Sequence, residues 1–281
     1  MTTSRLVARS PRALRWALTI PALACLLVTL GACSVTINPA LLIPLNRGTT
    51  TALLSPVPAS ILDGLTTIPE SEFEAVGSGS AQTQFSATPA HTALLTANGR
   101  PEVIFVGAEY CPYCAAQRWS MIVALSRFGS FSGLKLMRSS PNDVYPNTPT
   151  FTFRSAQYTS QYFTLSATET EDRNQNQLAT PHADITTSFT QYDSSGSIPF
   201  VSYGDQYITI GSAFNPTMLQ NLDWRQVVDQ LKDPQSAAAQ AIIGDANQQT
   251  AALCALTSDQ PANVCATPII QRLEKSLPVA Q

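Results

Sequence analysis

Cys111 and Cys114 stand two residues apart in "GAEYCPYCAAQRW", Gly107 to Trp119. A C-x-x-C pair can be a redox centre, half of a zinc site or a structural staple. Zinc takes four ligands in a structural site. This chain has no second C-x-x-C, its remaining body cysteines are Cys254 and Cys265, and its histidines are His91 and His182 alone. A metal is therefore not expected. A staple closing so short a loop removes little chain entropy. The redox chemistry has a mechanism if Cys111 sits at a helix N-terminus, where free N–H groups and the macrodipole favour a thiolate. The thiolate is the species that attacks disulfides. Cys114, one turn on, would resolve the mixed disulfide, and Pro112 suits the first helical turn because its missing N–H is not needed there. The pair itself would be the redox group, with no further cofactor.

Two charges lie near the pair. Glu109 could tune the thiol or move protons; its plainer reading is a solvated loop carboxylate. Arg118, one helical turn beyond Cys114, would offset that charge, and its plainer reading is a surface residue. Trp119 is expected in the core. His91 and His182 fall in loops with nothing to mark them as catalytic.

The surrounding elements must place the cysteines. "EVIFVGA" (Glu102 to Ala108) reads as a buried strand. "AAQRWSMIVALSRF" reads as a helix with one apolar stripe, ended by "GSFSG". "LKLMRSS" follows as a second strand, so the order predicts a βαβ unit with parallel neighbours. Residues 141–197 are rich in Thr, Phe and Tyr and predict two or three strands, read as a β-rich insertion, with a polar loop after them. "FVSY" and "QYITI" around Gly204-Asp205 predict a hairpin, entered at Ile198-Pro199. A helix is expected from Asn215, its N-cap, through Asp233, with more helical pieces at 235–256 and 266–276. The class is α/β.

The N-terminus reads as an export signal. Arg5, Arg9, Arg12 and Arg15 precede the apolar run Trp16 to Cys33, which ends in "LGAC". That ending is similar to a lipobox, which would make Cys33 the lipidated first residue. An uncleaved membrane anchor and ordinary cleavage are the other readings. Each puts the body outside the cytoplasm, with the first two attaching it to the membrane. Residues 34–85 read as tether and N-terminal extension, and 86–281 as the main domain. The formal net charge is −3 with four of the cations in the leader, so nothing in the body marks a nucleic-acid partner. In an oxidising compartment the even number of body cysteines predicts pairing. Cys254 and Cys265 flank the turn-rich "ALTSDQPANV" and are expected to form a structural disulfide, the alternative being a second redox pair.

"VGSGSA", "NGRPEVIFVGAEYCPYCAAQRW", "ALSRFGSFSGL", "TFTF" and "LCALTSDQPANVC" together resemble the domain of unknown function 929 family, thioredoxin-like extracytoplasmic proteins, over roughly residues 55–275. The resemblance implies a thioredoxin-like fold with a β-rich insertion before the cis-proline strand and extra C-terminal helices. It implies that the Ile198-Pro199 bond is cis, that Pro199 lies against Cys111–Cys114, and that Ile198 offers backbone hydrogen bonds to a bound peptide beside Pro112 and Tyr113. Tyr110 replaces the tryptophan usual before the first cysteine of thioredoxins. The expected function is an extracytoplasmic thiol-disulfide oxidoreductase acting on exported client proteins and recharged by a membrane redox partner. The alternative is a binding module of the same fold with a permanently oxidised pair.

Overall fold

The computed structural model describes residues 53–279. Its elements run α1 (Ala59–Thr66), α2 (Glu70–Val76), β1 (Ser86–Ala87), β2 (Thr96–Ala97), β3 (Arg100–Gly107), α3 (Pro112–Ser126), β4 (Gly129–Ser132), β5 (Lys135–Arg138), β6 (Pro149–Thr152), β7 (Gln157–Ser160), β8 (Thr164–Glu169), α4 (Ala183–Tyr192), β9 (Phe200–Tyr203), β10 (Tyr207–Ile210), α5 (Trp224–Gln230), α6 (Ala237–Leu256), α7 (Ala262–Cys265) and α8 (Pro268–Glu274). The class is α/β, as the sequence predicts. The Arg5-to-Cys33 leader, Cys33 itself and most of the tether lie outside the described residues. Among the described residues no helix is long and apolar enough to cross a membrane.

β3 is the centre of a mixed sheet. It pairs parallel with β8, Val103 opposite Leu165 and Phe105 opposite Ala167. On its other side it pairs antiparallel with β9, and β9 with β10. β1 extends β10, and β2 turns back on the start of β3. The continuous apolar run of β3 follows from burial on both faces. Val103 and Phe105 face the main core with α3 and α6, while Ile104 and Val106 face a second core with Ile185, Phe200 and Ile208. Successive residues of a strand point to opposite faces, so this split makes three layers: α3 and α6, the sheet, and α4.

Three expectations change. The second strand of the βαβ unit is not at Leu134–Ser140. That stretch supplies β5, which pairs antiparallel with β6 in a separate two-stranded sheet. β6 is held against α3 by hydrogen bonds from Trp119 Nε1 to the Pro149 carbonyl (2.8 Å) and from Thr150 Oγ1 to the Ala115 carbonyl (2.8 Å). The parallel neighbour of β3 is β8, drawn from the 141–197 segment. Next, the single helix expected over 215–233 is two pieces. Asn215 caps only a 3-10 turn, Pro216–Leu219. Asn221 then takes a left-handed conformation (φ 63°), and a reciprocal Asp223–Gln226 capping box starts α5. Last, α3 has no solvent face; only Tyr113 and Ser126 of its residues are not buried.

Residues 77–80 lie on α6 at backbone contact. A Cβ on Gly244 would sit 2.4 Å from the Ser78 carbonyl oxygen, and one on Gly79 2.0 Å from that of Gln240. Ser80 donates its N–H to the same Gln240 carbonyl at 3.0 Å. Gly244→Ala is therefore expected to cost about 1–3 kcal/mol, as overpacking does, read by urea unfolding; an unchanged midpoint would show that the two segments can part freely.

Candidate active site

The chain leaves the sheet at Gly107 and turns through Ala108, Glu109 and Tyr110 into α3. Gly107 is required there: a Cβ would meet the Phe105 ring at 2.5 Å and Cys114 Sγ at 3.3 Å. Cys111 is the N-cap of α3, and its Sγ accepts the Cys114 N–H at 3.1 Å. Pro112 occupies the first helical position. Cys111 Sγ also lies 3.9 Å from the Ile198 carbonyl, to which it can donate. The Ile198–Pro199 peptide is cis, and the Pro199 carbonyl accepts from Gly211 N–H at 2.8 Å. The structure thus brings together Cys111, Cys114, Pro112 and Ile198–Pro199 from two segments far apart in the chain. Tyr113 stands exposed at the rim, its ring edge-on to Tyr145 at 5.7 Å.

The two sulfurs are unbonded and differ in environment. Cys111 keeps 5% exposure and Cys114 none. The hydrogen bond from the Cys114 side chain holds the Cys111 thiol below its ordinary range, against the effect of burial; the N–H groups of Cys114 and Tyr113 and the Arg118 charge add to the lowering. Burial pushes the Cys114 thiol well up, and the neighbouring Cys111 side chain pushes it further. One sulfur therefore keeps a little exposure at the helix N-terminus with its thiol lowered, and the other is fully buried with its thiol raised.

Beneath them lies a buried ionic cluster that overturns two readings. Arg118 is not on the surface. It has no exposed area, and it donates through Nε to Glu169 Oε1 (2.9 Å) and through Nη2 to the Ala108 carbonyl (2.8 Å) and to Glu169 Oε2. Its Nη1 has no partner among the described residues. Glu109 is not a solvated loop carboxylate either. It is 1% exposed, and Thr152 Oγ1 donates to it at 2.7 Å. Burial raises its pKa above the usual carboxylate range, Thr152 opposes the shift, and Glu169 reinforces it. Both residues are buried for one reason: the turn before α3 is roofed by β6 and by the end of β8. Glu169 was not singled out by the sequence; its partner is 51 positions away.

A cleft of about 640 Å³ opens beside the pair, lined by Tyr113, Gln117, Gln82, Ile210, Gly211 and Phe214. The side-chain amide of Gln117 belongs to a second polar cluster. There the fully buried Asp245 accepts from Gln117 Nε2 (3.2 Å), Gln249 Nε2 (2.7 Å), Thr83 Oγ1 (2.6 Å) and Ser120 Oγ.

Cys254 and Cys265 are joined as a disulfide tying the end of α6 to α7, Cα atoms 5.5 Å apart. His91 lies in an exposed loop and His182 caps α4; neither is part of the cysteine site. No curated protein and no solved structure matches the chain. A family match is found, over a narrower span than the motif resemblance reaches and with the C-x-x-C turn, α3 and β8 inside it. The match is to the model of the domain of unknown function (DUF929) family, over residues 89–191 of the chain.

Proposed function

We propose that the protein is a thiol-disulfide oxidoreductase of thioredoxin-like fold, working through Cys111 and Cys114. The observation that carries the reading is the asymmetry of the two sulfurs: Cys111 caps a helix beside the Ile198 carbonyl, an acceptor just before the cis-proline, with its thiol lowered, while Cys114 is sealed with its thiol raised. The fold reading is supported by a central strand running into the C-x-x-C helix and by the hairpin that follows the cis-proline.

In the reducing direction the Cys111 thiolate attacks one sulfur of a client disulfide. A Cys111–client disulfide forms, the client S–S bond breaks, and the leaving client thiolate takes a proton from solvent. Cys114 then loses its proton and attacks the Cys111 sulfur. The Cys111–Cys114 disulfide forms and the second client thiolate departs, so two electrons pass from protein to client. Oxidation of a client dithiol is the same sequence reversed. Arg118 favours the ionised Cys114 by its charge, and Glu109 is placed to tune the same buried cluster. The backbone of Ile198 and Pro199, with Pro112 and the Tyr113 ring, holds the client's chain in the cleft. The clients are exported proteins, the body is held at the outer side of the membrane by the lipidated Cys33 or an N-terminal helix, and a membrane redox partner recharges the pair.

The test is a redox titration of the full-length chain, with alkylation and mass spectrometry scoring each cysteine pair. The 111–114 pair is expected to equilibrate between about −270 and −120 mV, the range of thiol exchangers, the value giving the direction. The 254–265 pair is expected to stay oxidised below about −300 mV. If 111–114 also stays oxidised there, exchange fails and the site is a binding module.

A further inference from the structure

The far edge of the sheet carries a second feature that thiol chemistry does not use. β8 pairs with β3 on one side only. Outside that ladder, no backbone hydrogen bond among the described residues reaches residues 164–169. A cavity of about 540 Å³ touches five consecutive residues of this strand, Leu165 through Glu169. Side chains of consecutive strand residues point to opposite faces, so a cavity meeting all five lies along the strand's edge. A further cavity of about 360 Å³ continues it over residues 163–166 and shares Tyr158, Leu165 and Ser166 with the first. The trough so formed follows about seven residues, roughly 20 Å of extended chain.

The lining defines an occupant. Phe131, Phe153 and Ile185 give it apolar ground for aliphatic side chains. Of its three ionic residues, Glu169 is committed to Arg118, Arg100 donates to the Ser160 carbonyl, and the exposed Arg154 has no ion-pair partner among the described residues. Of the two carboxylates whose pKa Arg154 influences, Asp172 is engaged by Asn174 and Asn176 of its own turn and Glu109 by Thr152. A carboxylate on the occupant is therefore favoured over a cation. Arg154 and Ala156 of the β6–β7 turn, Tyr158 of β7 and the segment Leu178 to Thr180 bound the trough. A second copy of this chain would bring the same two walls against them, so a lone strand fits and a second sheet edge does not.

We propose that the free edge of β8 takes up an extended segment of an unfolded polypeptide as an added strand, preferring alternating aliphatic residues with a carboxylate among them. Main-chain hydrogen bonds would supply affinity and the alternate side chains selectivity. The site needs no cysteine and stands or falls apart from the redox reading.

The probe is a blocked hexapeptide, Val-Thr-Val-Glu-Val-Thr, titrated into the full-length, isotope-labelled chain. Amide shifts are expected to concentrate in residues 163–169 and 178–182. The same peptide N-methylated at alternate residues, which loses its outward donors, is expected to bind about tenfold more weakly or worse. Arg154→Glu, at an exposed position, is expected to weaken binding and to restore it for the peptide carrying Lys in place of Glu. Shifts confined to residues 198–214 would put the peptide in the cysteine cleft and overturn the proposal. So would no saturation at about 1 mM, equal binding of the N-methylated peptide, or a peptide-free dimer that Arg154→Glu dissolves.

Discussion

Cys114→Ser is expected to stop turnover while leaving the first attack intact, so that a client accumulates on Cys111 as a stable mixed disulfide. Cys111→Ser is expected to remove both capture and turnover. In each case the steady-state rate with a fluorescent peptide disulfide should fall by roughly three orders of magnitude, as when one member of a catalytic unit is deleted. The two variants differ in a second readout: non-reducing mass spectrometry should find adducts on Cys114→Ser and none on Cys111→Ser. The distinction follows from exposure and acidity. Of the two, only Cys111 keeps any exposure, and only its thiol is lowered. Adducts appearing on Cys114 in the Cys111→Ser protein would reverse the assignment. A depressed thiol also stabilises the reduced fold as a thiolate. That contribution is present above the ordinary thiol pKa and is lost as pH falls through the lowered Cys111 value. Reduced protein should accordingly gain stability as pH rises through that window, and Cys111→Ser should flatten the gain.

Arg118→Met is expected to be the most damaging change outside the cysteines. It strands the Glu169 carboxylate, 1% exposed on its side chain, without its cation, and breaking a buried pair from one side costs about 3–5 kcal/mol. Urea unfolding reads that loss directly. Replacing both members, Arg118→Met with Glu169→Met, should return most of the stability, because the remaining apolar pair needs no compensation. It should not return the chemistry. Without Arg118 the Cys114 thiol loses the charge that lowers it and should titrate higher still, seen as slower alkylation of Cys114 in a Cys111→Ser background. Glu169→Gln should shift that titration the other way, by leaving the guanidinium uncompensated next to the sulfur. Identical alkylation profiles in all three proteins would reduce the cluster to a structural role.

The site was legible where chemistry and neighbours are close in sequence. "EVIFVG" followed by C-P-Y-C and a helix-forming run carries its own geometry, and Gly204-Asp205 fixes the hairpin that presents Ile198–Pro199. The turn-rich stretch between Cys254 and Cys265 likewise announces their bond. What was not legible depends on long separation. β8, "TLSATE", offers only Leu165 and Ala167 as apolar residues; an edge strand with a half-covered face does not need more, so it does not read as the parallel partner of β3. Arg118 lies on a helix whose outer side would ordinarily meet water. Its burial is decided by α6 on one side and by β6 and the end of β8 on the other, none of which α3's own periodicity reports. Glu109 was misread for the same reason, since Thr152 and Glu169 arrive from elements far along the chain.

The position of β9 between β3 and β10 bears on how the family should be handled as a unit of inheritance and of handling at the bench. The matched stretch, residues 89–191, ends before Ile198, so it holds both cysteines and lacks the peptide bond that faces them. Excised at those limits, the chain would keep β3 with one long edge bare, and α3 would lose the helix α6 that covers it. The recurring sequence block and the smallest piece able to stand alone are therefore different objects in this protein, and the second extends on both sides of the first.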